Sequence, residues 1–163
     1  MKIDKKFKGL VKEDFRYVFN GDIKTTEDLV VDLDMELFVT GSIEAGGSIE
    51  AGESIGAGGP IKAGWSIEAG WSIKAGESYG IVAGLSITCK TTLSFGLKLF
   101  AGICSWKEIR DEDKTVTCGK LENGTIEYGI LVETGLEEEI GSDDKTEEAV
   151  ELLKNKGYKI IKE

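Results

Sequence analysis

Residues 41–76 read GSIEAG GSIEAG ESIGAG GPIKAG WSIEAG WSIKAG, six successive copies of a six-residue unit. Ile recurs at 43, 49, 55, 61, 67 and 73, Ala stands two places after each, and Gly follows every Ala. Six is a multiple of the two-residue period of a strand and not of the 3.6-residue period of a helix. A side chain repeated every six places therefore keeps one orientation on strands only. Ile and Ala then share one face, while Ser and the Glu or Lys between them alternate to the other. Gly after Ala is read as the bend, because glycine supplies the φ freedom of a sharp corner and weakens a strand interior. Short strands with a corner every six residues coil into a solenoid whose Ile columns stack from turn to turn.

The register extends outward from this block. Backward, Leu37 with Val39 and then Val31 with Leu33 are assigned to the Ile and Ala places. Forward, ESYGIVAG at 77–84 carries two extra residues, after which Ile87 with Cys89, Leu93 with Phe95, and Leu99 with Ala101 resume the pattern. Residues 31–104 thus hold eleven units of six and one of eight. With three faces to a turn, 18 residues complete a coil, giving about four coils in a prism on the order of 15 to 20 Å long. Its open ends need covering, as repeat proteins generally do.

The expected fold is mainly β: a single-stranded β-solenoid of hexads at 31–104, a strand-rich N-terminal cap at 1–30 and an acidic C-terminal cap at 105–163, all one cooperative domain. In the first cap FRYVF at 15–19 meets Asn20-Gly21, a hairpin signal. In the second, TVTC and TIEYGILVE are expected strands, with Asn123-Gly124 as a turn. Asp144 is placed to cap a helix over 145–156 with the apolar stripe Ala149, Val150, Leu152 and Leu153, ended by Gly157 and followed by a short strand, YKIIK.

Composition narrows function. The 163 residues contain no His, 22 Gly and one Pro. Without His the commonest general base and metal ligand are missing. Cys89, Cys104 and Cys118 are an odd number without CxxC spacing, which fits free thiols in a reducing cytoplasm. No apolar leader or spanning segment is visible, so a cytoplasmic protein without membrane contact is expected. The net charge of −10 argues against direct nucleic-acid binding. Residues 103–163 carry 16 acidic and 9 basic side chains, hence most of that charge. A charged partner would be a protein with a basic surface. No cofactor or metal is expected, since no DxDxDG pattern occurs.

The hexads share their period with hexapeptide acyltransferases and γ-class carbonic anhydrases, whose small residue lies two places before the aliphatic one. Here Gly47, Glu53, Gly59, Trp65, Trp71 and Glu77 stand at that place, and the histidines those enzymes use are absent. Residues 31–104 are more similar to bactofilins and related polymer-forming proteins, and SIEAG, SIKAG, LSITCK and LKLFAGICSW resemble proteins of Firmicutes and their phages. The resemblance implies a short β-helix of Gly-punctuated coils without histidine-based chemistry.

Trp65 and Trp71 occupy equivalent places in adjacent units, and an exposed pair would anchor a partner, whereas the plainer reading packs them on the caps. The acidic runs Asp111, Glu112, Asp113 and Glu137, Glu138, Glu139, Asp143, Asp144 are the other candidate partner-binding residues, against the plainer reading of solvated loops. The expected function is a non-enzymatic interaction module that forms homo-oligomers or binds a protein. The alternatives are a phage or mobile-element inhibitor of a bacterial defence nuclease, its acidic surface occupying a nucleic-acid site, and an oligomeric sponge for a small ligand.

Overall fold

The structure, a computed structural model, describes residues 1–135. Its strands are β1 (Lys2–Ile3), β2 (Leu10–Lys12), β3 (Arg16–Phe19), β4 (Ile23–Thr25), β5 (Leu29–Val31), β6 (Glu36–Val39), β7 (Ile43–Ala45), β8 (Ile49–Ala51), β9 (Ile55–Ala57), β10 (Ile61–Ala63), β11 (Ile67–Ala69), β12 (Ile73–Ala75), β13 (Ile81–Ala83), β14 (Ile87–Cys89), β15 (Thr92–Ala101), β16 (Thr115–Cys118), β17 (Lys120–Tyr128) and β18 (Ile130–Glu133). Each repeat contributes one three-residue strand, and every third strand pairs in parallel. Ile43, Ile61 and Ile81 are in register through β7, β10 and β13, and Ile49, Ile67 and Ile87 through β8, β11 and β14. β4–β15 therefore form four turns of a three-faced parallel β-solenoid, as the period implied.

The stacked Ile columns are the core. Ile43, Ile49, Ile55, Ile61, Ile67, Ile73, Ile81 and Ile87 are fully buried, as are Leu93, Leu99 and Ala101 further along, with Phe95 nearly so. Burying one such aliphatic side chain is worth roughly 1.5–3 kcal/mol. The outward residues also stack as expected. Lys62 lies over Glu44 at 3.4 Å, Lys24 approaches the same carboxylate at 3.6 Å, and Glu68 is in register with Glu50.

Several expectations are corrected. The unit before β6 is in a different register: Leu29 pairs with Ile49 and Val31 with Ala51, so Leu29 and Val31, not Val31 and Leu33, hold the Ile and Ala places. The following DLDM segment makes that unit eight residues long. Asn20-Gly21 is no hairpin. It forms a solenoid corner between β3, which pairs in parallel with β6, and β4, which pairs in parallel with β7, and Gly21 adopts φ +117°. The antiparallel hairpin is β2–β3 instead, turning at Glu13–Phe15. The parallel ladder consequently runs back past Val31 to β1 and forward past Cys104 to β18, so one face is seven strands deep, about 30 Å at the usual strand spacing.

Asn123-Gly124 is likewise no turn. It lies inside β17, where the register against β15 slips between Leu93 and Ser94, and Gly124 at φ +108° passes over the Phe95 ring. The corner glycines from Gly46 to Gly84 have no positive φ; their requirement is space. A Cβ at Gly64, Gly70 or Gly84 would collide with the carbonyl oxygen of Gly46, Gly52 or Gly64 in the turn below. The expected helix at 145–156 and strand at 158–162 lie outside the described residues. No helix among the described residues is long and apolar enough to cross a membrane.

Candidate interaction site at the tryptophan corners

One residue, Ser66, separates Trp65 from the start of β11 and one, Gly70, separates Trp71 from its end, so the two tryptophans flank one strand of the seven-stranded face. Six residues reach at most about 20 Å. Both are exposed, at 47% and 45%. They are not equivalent. Trp65 is at the corner whose successive layers are Gly64-Trp65, Gly84-Leu85 and Gly102-Ile103, joined by hydrogen bonds from the Leu85 amide to the Trp65 carbonyl and from the Gly102 amide to the Leu85 carbonyl. The loop after this corner brings Trp106 back, its ring centroid 5.7 Å from that of Trp65 and tilted by 40°. Its indole reaches over Gly84, where a Cβ would come within 3.2 Å of it.

The result is an apolar ridge of Trp65, Trp106 and Ile103, the last two 55% and 49% exposed, on half-buried Leu85. Such tilted aromatic pairs are favourable geometries, and Trp is enriched where binding energy concentrates. Sequence reading did not find Trp106 or Ile103 as members of this ridge, because Trp106 lies outside the hexad register, in a loop whose charges conceal it. The one signal available was a third Trp two residues beyond Cys104.

Trp71 stands at the other corner of the same face. Its carbonyl accepts the Thr91 amide, and it borders a cleft shared with Thr88, Cys89, Lys90, Thr91, Thr117 and Thr134.

The acidic turn is placed next to the ridge but is locally neutralised. Asp111–Lys114 is a 3-10 turn in which Lys107 pairs with Asp113 at 2.6 Å, Lys114 with Asp111 at 2.9 Å and Arg110 with Glu112 at 3.4 Å. The Lys107 ammonium and, next, the Arg110 amide hold the Asp113 carboxyl below its ordinary value. Each of Asp111, Glu112 and Asp113 thus already has a cation. Glu137, Glu138, Glu139, Asp143 and Asp144 lie outside the described residues.

Two of the three thiols are buried. Cys89 is buried in the Ala place, and burial, with a smaller contribution from Cys118, pushes it up to about 12. Cys118 is pushed up by burial and by Glu133. Among the described residues no group of three or more Cys, Asp or Glu is placed to hold a metal ion. Comparison of the chain with known protein families, with characterised proteins and with solved structures yields no match.

Proposed function

We propose that the chain is a rigid, non-enzymatic interaction module that self-associates or grips another protein through the Trp65–Trp106 ridge. The observation that carries this reading is the ridge itself: three large apolar side chains, each about half exposed, held on a frame of fully buried Ile columns. A stiff platform loses little conformational entropy on binding, and exposed aromatics at its edge supply the apolar area. Partner charge enters as the rim, where the exposed Lys107, Glu108 and Arg110 follow Trp106 in the chain.

The test is a photo-crosslinking residue at position 103 of the full chain, together with sedimentation of the pure protein. A covalent adduct to a second copy or to one protein, lost on Trp65→Ala, supports the reading. Competition for that adduct by DNA or RNA would move it toward inhibition of a nucleic-acid enzyme. A chain that sediments as a monomer at every concentration and yields no adduct would sink it.

A further inference from the structure

The cleft lies at the Trp71 corner. Successive layers of that corner are Gly70-Trp71, Lys90-Thr91, Gly119 and Thr134-Gly135. Gly119 cannot carry a side chain, since a Cβ there would come 2.6 Å from the Lys90 carbonyl oxygen and 2.8 Å from that of Thr91. Beside these layers is a gap of about 310 Å³ lined by Trp71, Cys89, Lys90 and the threonines Thr88, Thr91, Thr117 and Thr134. That volume is at the small end of ligand pockets, which run from about 300 Å³.

The chemistry of the lining is specific. Thr88 and Thr117 are in register on β14 and β16, so their side chains leave the sheet side by side, and Thr91 and Thr134 border the same space. A threonine hydroxyl both donates and accepts, which suits ligand hydroxyls better than it suits a purely accepting phosphate. Thr134 already donates to the Cys118 carbonyl at 3.3 Å, leaving its lone pairs to accept. The indole offers a flat apolar wall with a negative face. Among the described residues one charged group, Lys90, lines the cleft, and no carboxylate does.

We propose that this cleft binds one pyranose-sized hydroxylated ring, stacked on Trp71 and hydrogen-bonded by Thr88 and Thr117, with Lys90 placed for the carboxylate of an acidic sugar. A single open monosaccharide site is weak, with a dissociation constant of roughly 1–10 mM. The proposal is independent of the Trp65–Trp106 ridge.

The test is proton–nitrogen NMR of the full chain, with the three indole signals assigned by single Trp→Phe variants, titrated separately with glucuronate, glucose and adenosine monophosphate. Glucuronate is expected to move the Trp71 indole in a saturable way while leaving Trp65 and Trp106 in place. Trp71→Phe should retain binding and Trp71→Ala abolish it. Thr117→Val, which keeps a strand-forming side chain of the same shape, should weaken binding about threefold or more. Lys90→Met should weaken glucuronate and leave glucose unchanged. No shift with either sugar, equal shifts at all three indoles, or a Trp71 response to the nucleotide alone would each overturn the proposal.

Discussion

At Gly64 a methyl group would collide with the Gly46 carbonyl oxygen of the turn below, whereas at Gly52 it would meet nothing within 4 Å. The difference comes from the eight-residue unit under Gly52, whose longer corner stands away from it. Gly64→Ala is therefore expected to cost about 1–3 kcal/mol, as overpacking does. Gly52→Ala should be neutral or stabilise by up to about 1 kcal/mol, because it restricts the unfolded chain only. Urea unfolding midpoints of the two variants check this. The thiols make a second test at this scale. The unfolded Cys89 ionises near 9.0 and the folded one near about 12, so over that interval the unfolded state binds fewer protons and stability falls as pH rises; below 9.0 the full contribution is present. Alkylation of the native protein is expected to label half-buried Cys104 and to spare Cys89 and Cys118 until denaturant is added, which mass spectrometry of the peptides would show.

Corners, rather than strands, carry the individuality of the elements. The Ser places stack as hydroxyl pairs, Ser48 with Ser66 at 3.3 Å and Ser54 with Ser72 at 3.0 Å. At the first turn the ladder ends in aspartates: Asp22 accepts the Ser42 amide and hydroxyl, and Asp28 accepts the Ser48 amide. The amide and then the hydroxyl of Ser42 hold the Asp22 carboxyl below its ordinary 3.8. Its folded value is depressed, so its contribution is complete above 3.8 and is lost as pH falls through the folded value. Asp22→Ala should flatten part of the acid limb of a stability profile and leave the alkaline limb unchanged. The same scale explains where sequence reading slipped. Asn-Gly at 20–21 and 123–124 signals a sharp change of direction, and the residues supply the positive φ of Gly21 and Gly124, yet neighbours in the adjacent turn decided whether that φ made a hairpin, a corner or a bulge. Gly56, which stands at the Glu or Lys place of its unit, lies in register over Phe38, whose ring would come 3.1 Å from a Cβ there. Arg16 in turn covers that ring at 4.8 Å.

The molecule as a whole is a stack in which each turn contacts its neighbours, so stability is expected to vary along the axis. At the N-terminal end Phe7, Leu10 and Phe19 pack against the core, with Phe7 and Phe19 centroids 5.8 Å apart. At the other end β18 is the last described strand, and Leu131, in an inward register position over Val116, is 39% exposed. Ile61→Ala in the middle of the stack should cost about 2–5 kcal/mol, and Leu131→Ala less than about 1 kcal/mol, because only the first leaves a closed cavity. Hydrogen exchange should be slowest at β7–β14 and fastest at β17 and β18.

What the amino-acid order determined by itself is the solenoid: a period of six commits Ile and Ala to one side of a strand whatever surrounds them, and the Cys89, Leu93, Phe95, Leu99 and Ala101 places followed from the same arithmetic. The tertiary structure alone decided what depends on stacking between turns. It set the register at Leu29 and Val31, the spatial reason for the corner glycines, and the separation of two equivalent tryptophans into a ridge with Trp106 and a cleft beside Lys90 and Thr117. Those features arise between residues 18 or more apart in the chain, where a period specifies that layers stack but not which side chains, or missing side chains, meet.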